Sequence, residues 1–256
     1  MFAAAITGLL GLALLVGPPV SAAETLPADT GADYQLGGAY PPAAGVGIVV
    51  RDRSDDPVAG AYSVCYINAF QTQPGARRWW LNEHPGLVLR SQGRPVVDER
   101  WGEMLLDTGT VAKRRKLTRI LGRWIARCAD AGFDGVEPDN LDSWQRSRGE
   151  LRRRDNLALA RSLIDRAHSL GMDIAQKNAA GVARMRLFDF AIVEQCQRYR
   201  ECARFTRAYG GDVIEVEYRR RDFRRACRIR GPEIPIVFRD PMLRTDRRAG
   251  HRFATC

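Results

Sequence analysis

The sequence predicts an α/β fold, a (β/α)8 TIM barrel in a single domain, and three observations carry that prediction. From Val46 onward, short β-rich runs alternate with helical stretches, which argues for βαβ units around a parallel sheet. Eight strand candidates fit within 256 residues, which suits a closed barrel better than an open doubly wound sheet. The first candidate leads into Asp52-Arg53-Ser54-Asp55-Asp56-Pro57. The Gly-rich phosphate loop that would mark an open nucleotide-binding sheet is missing there.

Residues 1–22 read as a secretory signal peptide. They carry no charge, are almost continuously apolar over 2–16, break at Gly17-Pro18-Pro19 and end in small residues. The apolar run is shorter than the ~20 residues a spanning helix needs. Residues 23–45, rich in Ala, Gly and Pro, read as a leader segment in which Tyr34 and Leu36 suggest partial docking onto the fold. Residues 46–256 form the barrel domain, with strand candidates at 47–51, 62–70, 95–98, 135–137, 173–176, 190–195, 213–218 and 234–238. Helical periodicity is clearest in Leu117, Ile120, Leu121, Trp124, Ile125 and Cys128. It recurs in Leu157, Ala160, Leu163, Ile164 and Ala167, a run closed by Gly171. The helices between the first three candidates are poorly marked.

Composition excludes several classes. At 45% hydrophobic and 27% charged residues, disorder and collagen-like structure are ruled out. The formal charge is +10, and all but three of the 40 Lys+Arg are arginine. The excess is lopsided: residues 1–108 hold 7 basic and 11 acidic side chains, residues 109–256 hold 33 and 19. Such an excess first suggests an anionic partner. Yet Lys113-Arg114-Arg115-Lys116, Arg152-Arg153-Arg154 and Arg219-Arg220-Arg221 lie on or beside helices or strand ends, where charge runs read as solvated faces. No nucleic-acid recognition motif accompanies them, so no nucleic-acid partner is expected. Six cysteines in an exported chain read as disulfides rather than thiolate ligands. Six cysteines allow 15 pairings; spacing suggests Cys196 with Cys202 and Cys227 with Cys256, and supports Cys65 with Cys128 least. There is no CxxC, and His84, His168 and His251 are scattered, so neither a metal nor a cofactor is expected.

Polar residues gather where the strand candidates end. Asn68 follows Tyr66; Asp98 and Trp101 follow the third candidate; Glu137, Asp139, Asn140 and Asp142 follow the fourth. Lys177 and Asn178 follow the fifth, Glu194 and Gln195 end the sixth, and Glu217 and Tyr218 end the seventh. In a barrel these ends converge on one pocket. A single carboxylate there reads as a helix cap or an arginine partner. Many together raise one another's pKa and repel, which a fold keeps for a use. Three uses suit such a cluster: a divalent metal held by oxygen ligands, a cationic substrate, or glycoside hydrolysis by a protonated and an ionised carboxyl. Tyr34, Tyr66, Trp101 and Tyr218 supply aromatic faces that turn the choice toward carbohydrate.

Gly132-Phe133-Asp134-Gly135-Val136-Glu137-Pro138-Asp139-Asn140-Leu141-Asp142, with Lys177-Asn178, Asp189-Phe190-Ala191 and Glu194-Gln195-Cys196, resembles glycoside hydrolase family 114. That is the endo-α-1,4-polygalactosaminidase-like group. Asp33-Tyr34-Gln35-Leu36-Gly37-Gly38, Cys65-Tyr66-Ile67-Asn68 and Val216-Glu217-Tyr218 fit as well. The resemblance implies a TIM barrel that cleaves α-1,4 bonds in galactosamine-rich polysaccharide. It also implies an acid pair drawn from Glu137 with Asp139 and from Glu194, with Glu137 favoured because it directly ends the strand. Asp33, Tyr34, Tyr66, Asn68, Asp98, Trp101, Asn140, Asp142, Lys177, Asn178, Gln195, Glu217 and Tyr218 are the expected substrate contacts. The segment Tyr66-Ile67-Asn68-Ala69-Phe70-Gln71 departs from the Tyr-Phe-Ser-Ala-Gly-like run of many members, so substrate preference is open.

The expectation is therefore a secreted, endo-acting glycoside hydrolase on a polysaccharide substrate, a cationic amino-sugar polymer. A non-catalytic carbohydrate-binding barrel is the alternative, and the complete acid set argues against it. An anionic-polymer binder comes third. A basic exterior around an acidic mouth suits association with an anionic cell-wall surface.

Overall fold

The computed structural model describes residues 25–73 and 75–256; the expected signal peptide lies outside them. Eight parallel strands follow one another around a barrel: β1 (Gly31–Gln35), β2 (Val46–Asp52), β3 (Tyr62–Asn68), β4 (Gly135–Asp139), β5 (Asp173–Lys177), β6 (Phe190–Glu194), β7 (Val213–Glu217) and β8 (Ile236–Arg239). A ninth, β9 (Phe253–Thr255), pairs antiparallel with β8. Outside lie α1 (Arg77–Glu83), α2 (Val111–Ala131), α3 (Arg153–His168), α4 (Cys196–Tyr199), α5 (Cys202–Tyr209) and α6 (Arg220–Arg230).

Two expectations are corrected. The barrel starts at Gly31, inside the stretch read as a leader. That strand is hard to recognise because its Asp33 and Gln35 are polar and yet fully buried. The candidate at 95–98 is not a barrel strand. Arg94–Pro95 pairs back on Arg90–Ser91, and Val97–Asp98 pairs on Glu103–Met104, both antiparallel. Val96 packs with Leu89, Leu105 and Leu151 in a small core of its own. A short apolar run between turn residues reads the same in either setting.

α2 buries the stripe Leu117, Ile120, Leu121, Trp124, Ile125 and Cys128. Thr110 accepts the Lys113 backbone N–H at its start, and Gly132, left-handed at φ 93°, stops it. The apolar contents divide by strand parity. Cys65, Val136, Ile174, Val193 and Ile236 face the helices, while Val64, Ala175, Ile192, Val216 and Val237 fill the barrel. The three disulfides are Cys65–Cys128, Cys196–Cys202 and Cys227–Cys256. They tie β3 to α2, α4 to α5, and α6 to the residue after β9.

Between β1 and β8 the barrel is closed by a buried ion pair. Arg239 Nη1 lies 3.0 Å from Asp33 Oδ1, and both side chains are wholly buried. The same guanidinium donates to the carbonyls of Tyr34, Arg252 and Arg244, so four segments meet on one side chain. Nearby, a methyl group on Gly37 would fall 2.2 Å from the Leu243 carbonyl oxygen, which keeps that position free of a side chain. Arg239→Met is expected to leave Asp33 as an unpaired buried charge and to cost about 3–5 kcal/mol. Urea unfolding would show this as a lowered midpoint; an unchanged midpoint would mean that the pair does not hold the seam.

Candidate active site

Parity and depth build the site. In β5 and β6 the inward positions run Ala175 then Lys177 and Ile192 then Glu194, and Val216 of β7 is followed by Tyr218 just past its end, so apolar layers lie beneath polar ones. In β4, residues two apart share a face, so Glu137 and Asp139 both point inward, with Asp139 one level nearer the mouth. Pro138 does not end the strand, whose pairing with β3 continues through Asn68 and Asp139.

Lys177 is the hub. Its Nζ lies 2.7 Å from Glu137 Oε1, 3.3 Å from Asp139 Oδ1 and 3.3 Å from Glu194 Oε2. It also donates to the Tyr34 hydroxyl at 2.8 Å. Burial alone would lower the Lys177 pKa, but the charges of Asp139, Glu137 and Glu194 outweigh it and raise the value, keeping the ammonium charged. Each carboxylate has further donors. Tyr34 OH reaches Glu137 Oε1 at 2.8 Å and Tyr66 OH reaches Asp139 Oδ2 at 2.7 Å. The Asn140 backbone N–H reaches Asp139 Oδ1 at 2.6 Å. Tyr218 OH donates to Glu194 Oε1, and Asn178 Nδ2 to Glu194 Oε2 at 3.2 Å.

The three acids differ in access. Glu137 is fully buried and absent from the lining of the large cleft above it. Burial pushes its carboxyl up to about 7, with the Asp139 charge adding, while Lys177 and the Tyr34 hydrogen bond pull it down. Asp139 and Glu194 line the cleft, with side chains 18% and 26% exposed. Only these two can touch a ligand.

The cleft holds about 1160 Å³. One wall is the excursion after β3, which brings in Asp98, Arg100, Trp101 and Glu103; Arg100 stacks over the half-exposed Trp101 ring. Arg146 pairs with Asp98 and Asp142, each at 3.0 Å, and donates to Asn140 at 3.1 Å. Among the described residues, Asp52, Glu103 and Glu201 line the cleft without any ion pair. Burial pushes Glu103 up to about 7, against the hydrogen bond from Asn68. For Glu103 and Glu137 alike, the folded state binds protons that the unfolded state releases between about pH 4.5 and 7. Stability therefore falls as pH rises through that window and levels above it. Glu103→Gln is expected to flatten part of this slope in melting curves taken from pH 4.5 to 8. An unchanged slope would show that the Glu103 carboxyl titrates no higher in the folded protein than in the unfolded chain.

Of the residues singled out in the sequence, Tyr34, Tyr66, Asp98, Trp101, Asp139, Asn140, Asp142, Lys177, Asn178, Glu194, Gln195 and Tyr218 line the cleft. Four do not. Glu137 lies beneath it. Asn68 is buried and acts indirectly, donating to Glu103 and accepting from Asn140. Asp33 belongs to the Arg239 seam, because the alternation that turns Tyr34 inward turns Asp33 away. Glu217 likewise points outward, accepting the Gln197 backbone N–H at 2.9 Å. Sequence reasoning passed over Asp52, Glu103, Arg146 and Glu201. Asp52 ends β2 and carried the same strand-end signal as the others; Glu103, Arg146 and Glu201 lie in connecting segments with no such marker. The one cluster among the described residues close enough to hold a metal is Cys196, Cys202 and Glu215. Its two sulfurs are joined to each other, which leaves no thiolate ligand.

The model of the glycoside-hydrolase family GH114 matches residues 18–256. The crystal structure of Aspergillus fumigatus Ega3 in complex with galactosamine is similar at a TM-score of 0.72 and 20% identity, covering 94% of this chain and 100% of that one. The glycoside hydrolase domain of PelA from Pseudomonas aeruginosa is similar at a TM-score of 0.58 and 17% identity, covering 86% of this chain and 97% of that one. At these identities the likenesses concern the fold. No curated protein matches the chain.

Proposed function

The chain belongs to the glycoside-hydrolase family GH114, and on that premise we propose that it is a secreted, endo-acting hydrolase of α-1,4-linked galactosamine-type polysaccharide. The observation that carries this is the pair Asp139 and Glu194, held on one buried ammonium at the floor of an open cleft flanked by Tyr66 and Tyr218. The cleft exceeds the ~300–1,000 Å³ of ordinary small-molecule sites, as a run of sugar units requires. Seven carboxylates line the cleft against four arginines and Lys177, an acidic excess that favours a substrate carrying ammonium groups, and a galactosamine complex of Ega3 is in keeping with that. Three disulfides support export to an oxidising compartment.

In the proposed reaction, an Asp139 oxygen attacks the anomeric carbon while Glu194 gives its proton to the departing glycosidic oxygen. A covalent glycosyl ester forms and the sugar–sugar bond breaks. Glu194 then takes a proton from water, whose oxygen displaces Asp139. Asp139 suits the nucleophile because Tyr66, Asn140 and Lys177 fix both its oxygens. Glu194 is the more exposed, as access for water requires.

The test is incubation with purified polysaccharides, including N-acetylated and deacetylated galactosaminogalactan, followed by product sizing. Mid-chain cleavage of the deacetylated polymer is expected. Binding without any cleavage would favour a non-catalytic carbohydrate-binding barrel.

A further inference from the structure

We propose a second binding site, separate from the cleft: an arginine-lined pocket between α4 and α6 that takes phosphate groups. A cavity of about 520 Å³ opens there, lined by Gln197, Arg198 and Arg200 on one side and by Arg221, Asp222, Arg225 and Arg228 on the other. None of these side chains lines the cleft. The volume lies within the ~300–1,000 Å³ range of small-molecule sites and is roomier than a single phosphate requires.

Five guanidinium groups face one carboxylate. Arg221 pairs with Asp222 at 3.2 Å, and Arg198 donates to Gln195 Oε1 at 2.9 Å. Among the described residues, Arg200, Arg225 and Arg228 make no hydrogen bond or ion pair through their side chains, although each borders the cavity. Arg221, Arg225 and Arg228 follow at intervals of four and three, so α6 sets them in one stripe. Like charges at that spacing destabilise a helix, and here the stripe also faces Arg198 and Arg200. All five arginines are solvent-exposed, so water and salt screen part of that repulsion; an anion held between the two rows offsets the rest.

The scaffold beneath is braced. The Cys196–Cys202 disulfide closes the short segment that carries Arg198 and Arg200. Arg230 grips Glu215 at 2.8 and 2.9 Å and donates to Gln197 Oε1 at 3.0 Å. That last bond fixes the Gln197 amide so that its nitrogen is left to donate. Asp222 has a separate role: buried in the first turn of α6, its charge favours the helix N-terminus. A planar fork of donors matches phosphate oxygens two at a time, so phosphate groups are the ligand chemistry that these rows recognise.

Titration calorimetry at about 50 mM salt, where phosphate contacts are strong, tests this with inorganic phosphate and with tripolyphosphate. Wild type should bind saturably at one site. Arg225→Ser/Arg228→Ser should bind about tenfold more weakly or worse. Arg115→Ser/Arg119→Ser, an equal charge loss on α2, should bind as wild type does. Circular dichroism melts and retained polysaccharide cleavage would show both variants folded. Tighter binding of tripolyphosphate identifies a ligand with several phosphates, and equal affinities identify a single phosphate group. No saturable binding by wild type, or the same weakening in both variants, would overturn the proposal. Neither result bears on hydrolysis in the cleft.

Discussion

Glu194→Gln is expected to lose about 10²–10⁴-fold in turnover with almost no change in thermal stability. The amide cannot give a proton to the glycosidic oxygen or take one from water, and both steps of the proposed reaction need that transfer. Folding is little affected because Glu194 sits at the mouth, with its side chain 26% exposed. Its hydrogen bonds to Tyr218 and Asn178 join residues that their own strands already position. The role can be separated from mere charge with Glu194→Ala. With an activated aryl glycoside, whose leaving group departs without protonation, only the second step needs Glu194; added azide then attacks in place of water without a base, so it should restore turnover and yield a glycosyl azide of unchanged anomeric configuration. Near-wild-type hydrolysis by Glu194→Gln would remove Glu194 from the reaction.

Legibility followed periodicity. The stripe of α2, the start of β4 from Gly135 to Glu137 and the pairings Cys196–Cys202 and Cys227–Cys256 could be read, because their signals are local; Cys65–Cys128, 63 positions apart, carries no such signal. β1 could not: Asp33 looks like a loop residue until Arg239, 206 positions downstream, pairs with it, and Gln35 does until Arg51 and Asp33 take up its amide. The segment at 95–98 failed in the opposite way, since a hairpin strand and a barrel strand share one pattern. Within the site, strand ends located the right layer but not the right face. Strand parity sorts the faces: if Tyr218 faces the cleft, Glu217 next to it cannot, and the same holds for Tyr34 and Asp33. Parity does not resolve Glu137 from Asp139, which share a face. Depth does, and depth depends on the stagger between strands, which no single segment encodes. Glu103 and Arg146 reach the cleft only through the path of the excursion after β3 and of the segment after β4.

That difference in depth yields the second large effect. Asp139→Asn is expected to abolish turnover to the same degree as Glu194→Gln, whereas Glu137→Gln should reduce it far less. The sequence favoured Glu137 because it ends the strand candidate, but no ligand in the cleft can reach a carboxyl that is wholly buried beneath Lys177. Neutralising Glu137 removes one of three negative neighbours from the ammonium and leaves Asp139 and Glu194 to hold it. The proposed double displacement at Asp139 also fixes the stereochemistry. Asp139 Oδ1 and Glu194 Oε2 each lie 3.3 Å from the same nitrogen, so they are separated by no more than twice that distance. That bound admits the ~5–5.5 Å carboxyl separation of retaining enzymes, which the proposed attack by Asp139 requires. Proton NMR of the first products should therefore show the α-anomer before mutarotation, and Asp139 should be recoverable as a glycosyl ester when a slow substrate is used. A β-anomer formed first would exclude the nucleophile. Near-normal turnover by Asp139→Asn, with Glu137→Gln inactive, would return the catalytic role to the buried acid and require the floor of the cleft to open during the reaction.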